Sequence, residues 1–146
     1  MTGKEVHPMK FTKMQGAGND FIVLDNRSGE IRENEYSALA VRLCRRRLSI
    51  GADGLMIVLP AQGIGNYAMR FYNSDGSLGE MCGNGARCIA RYGYDRGLAG
   101  DIQRIETTAG IVVGQRIEED LYCVRLNDPT AVETEIGIPW DGQILS

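Results

Sequence analysis

Apolar residues along the chain follow two different periods, and these outline the elements. Phe21-Ile22-Val23-Leu24 is an unbroken apolar run that reads as a buried strand, set off by the glycine turn Gly16-Ala17-Gly18-Asn19-Asp20. Residues 10–15, with Phe11 and Met14, predict a short strand before that turn. Between about Asn34 and Leu48, the positions Tyr36, Leu39, Ala40, Leu43, Cys44 and Leu48 recur at helical spacing and predict an amphipathic helix. Arg45-Arg46-Arg47 then falls in its last turns, where cations suit the negative end of the dipole, with Gly51 as terminator. Residues 55–59 form a second apolar strand closed by Pro60, and Tyr67, Met69 and Phe71 alternate along a half-buried strand over 66–73. A turn at Ser74-Asp75-Gly76-Ser77 precedes a helix that opens in the run after Cys82, reaches about Arg96 and stops at Gly97. Strands follow at 102–107, 111–117 and 121–126, and beyond Asp128 no period remains. About seven strands, mostly at hairpin spacing, and two helices predict an α+β domain, a curved antiparallel sheet wrapped around one or two helices. Residues 1–9 read as a leader, 10–128 as the domain, and 129–146 as a linker or truncated end.

Composition narrows the function. The 146 residues suit one small domain, and 16 basic against 19 acidic side chains leave −3, which argues against a nucleic-acid binder held by phosphate neutralisation. The longest apolar run is too short to span a bilayer, and the polar first nine residues carry no signal-peptide core. A reduced, cytoplasmic protein is expected. The single histidine, His7, lies in the leader, so a histidine-dependent triad or a His-rich metal site is not expected, and no metal ligand set is assigned. Four cysteines at irregular spacing (44, 82, 88, 123), with no C-x-x-C, suggest neither a disulfide framework nor a zinc ribbon. Glycine, at 19 residues, is nearly twice as frequent as usual, implying many turns or close backbone approaches.

The chemistry concentrates at Cys82. It stands immediately before Gly83-Asn84-Gly85-Ala86-Arg87, which opens a helix. A helix N-terminus has unpaired N–H groups and partial positive charge, so it favours a thiolate and can cradle a carboxylate, and the two glycines leave those N–H groups accessible. A thiolate beside a carboxylate cradle suits proton abstraction from the carbon next to a carboxylate, as in an amino acid. A Gly-rich helix start also serves plain tight packing, and a cysteine is ordinarily a small buried apolar residue. Cys44, Cys88 and Cys123 are read in that ordinary way. Cys88, six residues on, is expected to point about 120° away from Cys82 at about 100° per residue. Asn19 and Asn73 flank glycine turns and read either as turn formers or as amides that bind a zwitterion. Asp53, in Gly51-Ala52-Asp53-Gly54, reads as a turn residue, and Arg87 as a solvated helix arginine or an anion partner.

Four segments in order resemble the N-terminal half of diaminopimelate epimerase: Met14-Gln15-Gly16-Ala17-Gly18-Asn19-Asp20-Phe21, Gly51-Ala52-Asp53-Gly54, Asn73-Ser74-Asp75-Gly76-Ser77, and Met81-Cys82-Gly83-Asn84-Gly85-Ala86-Arg87-Cys88. The resemblance implies one half of a two-domain fold and a cofactor-free epimerase interconverting LL- and meso-2,6-diaminopimelate for lysine and cell-wall precursor synthesis. In that family one thiolate removes the Cα proton and a second thiol protonates the opposite face. Cys82 matches the first catalytic cysteine, Gly83 and Asn84 match backbone donors to the reacting carboxylate, and Asn19 and Asn73 match substrate-binding side chains. Some members carry a substrate-contacting Gln where this chain has Gly54, so that contact is not carried over. No counterpart of the second cysteine occurs here, which implies a missing C-terminal domain as partner, with a homodimer possible. This polypeptide alone is therefore expected to be inactive. Alternatives are a racemase of another amino acid, or a half-protein that only binds a ligand or partner. An isomerase of the phenazine-pathway type lacks the catalytic cysteines and fits less well.

Overall fold

The computed structural model describes residues 8–80, 82–126, 128, 132–133 and 136–145. The expected leader thus lies largely outside the described residues. Two hairpin-connected strands come first, β1 (Thr12–Gly16) and β2 (Asn19–Asp25), then α1 (Tyr36–Leu43) entered through a 3-10 turn, Glu33–Glu35. After them come β3 (Gly54–Leu59), β4 (Tyr67–Asn73), the two-residue β5 (Leu78–Gly79) and α2 (Gly83–Asp95). The chain then forms β6 (Ile102–Thr107), β7 (Gly110–Arg116) and β8 (Tyr122–Arg125), and finally a separate hairpin of β9 (Ile138–Trp140) and β10 (Gln143–Leu145).

The main sheet has the order β1-β2-β3-β4-β6-β7-β8, with β5 beside β4. The curved sheet packed on two helices is as expected, but it is mixed rather than antiparallel throughout: β2–β3 and β4–β6 run parallel. Parallel neighbours need a crossover rather than a tight turn. The chain supplies one through α1 and the other through α2, while the remaining pairs are antiparallel.

Because a helix covers each face of the central strands, those strands are apolar at successive positions. Phe21, Val23, Met56 and Val58 share a core with Tyr67, Phe71, Ile89 and Ile105 around α2. Ile22, Leu24, Leu55 and Ile57 point the other way, into a core with Tyr36, Ala40 and Cys44 of α1. Two-sided burial is the reason these segments read as continuous runs. Tyr67 and Gln103 fix α2 to the sheet from within. The Tyr67 hydroxyl lies 2.9 Å from Ile89 O and 2.7 Å from Gln103 Oε1, and Gln103 Nε2 donates to Ala90 O at 2.7 Å.

Two sequence expectations change. The first helix ends at Leu43, before the arginine triplet, because Gly51 N and Ala52 N bond back to the carbonyls of Leu43 and Cys44 at 2.9 and 3.1 Å. Arg47 adopts φ +68° and Gly51 φ +76°, so the chain turns instead of continuing. The C-terminal stretch, expected to lack regular structure, contains the β9–β10 hairpin across Asp141-Gly142, both at positive φ as a tight two-residue turn requires.

Gly54 is a packing requirement. A Cβ there would sit 2.3 Å from Phe71 Cε2 and 2.8 Å from the Tyr72 carbonyl oxygen. A Gln at this position, as in some members of the resembled family, needs a different neighbour at 71. Gly54→Ala is expected to lose about 1–3 kcal/mol by overpacking. Urea denaturation checks this, and the loss should shrink when Phe71→Leu is present.

Candidate active site

Several segments meet at one end of the sheet: the β1–β2 turn, the loop entering β3, the turn after β4, and the N-terminus of α2. Asp53 ties them together. Its N–H donates to Asp20 O at 2.9 Å, its carbonyl accepts from Ser74 N at 3.1 Å, and its Oδ2 accepts from Asp20 N and from Asn19 Nδ2 at 3.0 and 3.1 Å. Arg46 spans Asp20 and Asp53, with its NH2 2.6 Å from Asp20 Oδ1 and 2.9 Å from Asp53 Oδ1. Lys13 adds a contact of 2.9 Å to Asp20. Of the arginine triplet, Arg46 therefore ties the start of β2 to the loop entering β3 rather than serving the helix end. Hydrogen bonding from Arg46 holds the Asp20 carboxyl far below the usual carboxylate range, despite opposing desolvation. Asp53 is also lowered, first by the Asp20 backbone amide and next by the Asn19 amide.

Cys82 is the N-cap of α2, with extended backbone (φ −135°, ψ 114°), and is half-buried. Its Sγ accepts from Gly85 N at 3.4 Å and its carbonyl from Ala86 N at 2.7 Å. Among the described residues nothing accepts from the N–H groups of Gly83 or Asn84. Of the orphan donors at this helix start, Gly85 N is closed by the sulfur, while those of Gly83 and Asn84 have no acceptor among the described residues and lie beside it. Close packing holds the turn in place: a Cβ at Gly85 would lie 2.5 Å from Met56 Cε, and one at Gly16 3.0 Å from Cys88 Sγ. Since Cys82 lies outside the helix proper, the wheel angle expected between it and Cys88 does not apply. Cys88 is buried in the α2 core, where desolvation pushes its thiol up to about 11.

The other candidates fall as follows. Asn19 Oδ1 accepts from Asn84 Nδ2 at 2.6 Å, and Asn84 Oδ1 accepts from Arg87. These two asparagines are thus in direct contact, one turn from Cys82. Asn73 ends β4, next to Ser74, which bonds Asp53, and its Nδ2 donates to Ser77 Oγ at 2.9 Å. Asp53 exceeds its expected turn role. The signal for it was present in the sequence, a lone acid in the Gly51–Gly54 string, but nothing there named its partners. Arg87 is half-buried and donates to Asn84, and among the described residues no ion pair to it is seen. Cys44 is buried and desolvation raises its thiol, as a structural cysteine requires. Cys123 departs from its expectation: it lies exposed on edge strand β8. Among the described residues no group of three or more His, Cys, Asp or Glu could hold a metal ion, and no helix is long and apolar enough to cross a membrane. A cavity of about 820 Å³ opens at the far end of β2, beside Asp25, Arg27 and Ile31, away from all these groups.

Thiol accessibility and local amides set an order of reactivity. At pH 7, brief treatment with iodoacetamide is expected to label Cys82 first, Cys123 next, and the buried Cys44 and Cys88 last. Peptide mass mapping checks it, and faster labelling of Cys123 than Cys82 contradicts it.

The sequence comparisons agree on one family. Residues 11–131 match the model of the family described as diaminopimelate epimerase. The diaminopimelate epimerase of Pelotomaculum thermopropionicum is 40% identical over 139 residues, covering 92% of this chain and 49% of the relative. That of Caldanaerobacter subterraneus subsp. tengcongensis is 47% identical over 113 residues, covering 77% and 39% respectively. The chain therefore spans half or less of the length of these relatives. The solved structure of a methylitaconate-delta-isomerase shares the fold, with TM-score 0.62 at 13% identity over 94% of this chain and 40% of that one.

Proposed function

The chain belongs to the diaminopimelate epimerase family, and on that premise we propose that it is the first half of a cofactor-independent amino-acid epimerase acting on LL- and meso-2,6-diaminopimelate. What supports the reading most is the pairing of a half-buried N-cap sulfur, Cys82, with two open amides beside it, Gly83 and Asn84.

In this scheme the substrate α-carboxylate docks on those amides at the positive end of α2. The Cys82 thiolate takes the Cα proton and becomes a thiol. The electron pair left on Cα spreads into the carboxylate, where the Gly83 and Asn84 N–H groups and the helix dipole stabilise the growing negative charge. A thiol on the opposite face then delivers a proton to Cα, so no proton is gained or lost overall. In this reading that second thiol comes from the part of the relatives' length that this sequence does not span. Asn19 and Asn73 hold the polar groups of the zwitterion, and the carboxylate itself acts as the electron sink, so no cofactor is needed.

Substrate protection of the thiol tests the reading. Millimolar meso-2,6-diaminopimelate is expected to slow iodoacetamide labelling of Cys82 and leave Cys123 unaffected, whereas cadaverine, which lacks both carboxylates, protects neither. Equal labelling of Cys82 with and without diaminopimelate rejects it.

A further inference from the structure

The side chains of Asp53, Asn19, Asn84 and Arg87 form one continuous chain of hydrogen bonds across three segments. Asn19 Nδ2 donates to Asp53 Oδ2 at 3.1 Å, Asn84 Nδ2 donates to Asn19 Oδ1 at 2.6 Å, and Arg87 donates to Asn84 Oδ1. Its two ends have unambiguous polarity, because a carboxylate only accepts and a guanidinium only donates. An asparagine amide by itself has none, since its oxygen and nitrogen are nearly the same size.

We propose that Asp53 and Arg87 are positioning residues that together dictate which way the amides of Asn19 and Asn84 face, and so leave each with one outward N–H donor for a ligand carboxylate. Reversing Asn19 alone would set oxygen against the Asp53 carboxylate and nitrogen against Asn84 nitrogen. Reversing both amides would also turn a nitrogen toward Arg87. Every reversed state therefore contains at least one like-against-like contact, which costs on the order of an unmade buried hydrogen bond. Arg46 and the Asp20 amide hold Asp53 in place as an acceptor. The catalytic use of these donors rests on the epimerase reading. The locking of the amides does not.

Because both ends enforce the same direction, either one suffices. Asp53→Asn leaves direction to Arg87, and Arg87→Met leaves it to Asp53. Only the double variant frees it. Asp53 and Arg87 are linked only through the two asparagines, and substitutions within one hydrogen-bonded network need not add. Here the double variant should do more than the sum.

The side-chain NH2 signals of Asn19 and Asn84 in nitrogen-15 NMR of the ligand-free chain provide the readout. The wild type should give two well-separated pairs, with the Asn84 proton bonded to Asn19 Oδ1 slow to exchange. D53N and R87M should keep that pattern, D53N/R87M should lose it, and D53N/R87K, which restores a pure donor, should recover it. Backbone signals of β6–β8 report that each variant is folded. The affinity for meso-2,6-diaminopimelate should fall about tenfold in the double variant, equivalent to about one ligand hydrogen bond, and less than about 1.5-fold in each single one, where additivity would give only about twofold in the double variant. Freely exchanging Asn19 and Asn84 amides in the wild type overturn the proposal, as do additive effects in the double variant. If the wild type binds no diaminopimelate, the epimerase reading fails and the amide signals still decide this inference.

Discussion

In deuterium oxide, the 146-residue chain incubated with LL-2,6-diaminopimelate should yield no meso product beyond that formed by its Cys82→Ala variant. A base on one face returns a proton to the face it came from, so inversion needs a donor opposite. None of the remaining thiols is placed to serve. Cys88 is buried and its thiol is pushed up to about 11 by desolvation. Cys44 belongs to the core on the other face of the sheet, with α1. Cys123 is exposed on strand β8. Loss of a positioned proton donor typically lowers a rate by about 10² to 10⁴-fold, so inversion should sit near the background. Deuterium entering Cα with retained LL configuration, dependent on Cys82, agrees with one working thiol. Chiral chromatography with mass spectrometry separates these outcomes, and Cys82-dependent formation of the meso isomer contradicts the two-thiol scheme.

The largest effect on stability is expected at Gly93, in the last turn of α2. Alanine in a helix is ordinarily better than glycine by about 1 kcal/mol. Here the added Cβ would lie 2.3 Å from the Tyr67 hydroxyl and 2.5 Å from Gln103 Oε1. Those atoms form the buried contact that fixes α2 to the sheet, so both must move or lose their partner. Overpacking costs about 1–3 kcal/mol and a broken buried hydrogen bond about 1–3 more. The clash outweighs the propensity gain, and Gly93→Ala should lose about 2–4 kcal/mol in urea denaturation. Tyr67→Phe in the same chain should recover part of that by removing the obstructing oxygen. A neutral or stabilising Gly93→Ala would mean that α2 sits farther from the sheet than these distances require.

These two predictions are linked, because the packing that admits only glycine at 93 also sets where α2 begins. Cys82 and the open amides stand at the end of a helix whose position is determined by Tyr67, Gln103 and the close approaches at Gly16 and Gly85. A shifted helix would move sulfur and carboxylate cradle together.

Local chemistry along the chain sufficed for much of this. The two-sided burial of β2 and β3, the helix after Cys82 with its stop at Gly97 (φ +66°), and the turn at Gly76 (φ +87°) all follow from near neighbours in sequence. So does the expectation of a sulfur at a helix start, since an N-cap is a matter of a few adjacent residues. Burial periods and glycine turns are short-range signals, and short-range signals survive in a single sequence.

What the fold alone decided involves partners far apart in the chain. Whether neighbouring strands run parallel depends on where α1 and α2 pack, not on the strands. The early end of α1 depends on amides at 51 and 52, and on acids at 20 and 53 that draw Arg46 away. Asp53 became a hub through partners more than 30 residues away, Asn19 and Asp20. Hydrogen bonds and ion pairs form between whatever groups folding brings within about 3 Å, and no periodicity along the chain encodes that distance.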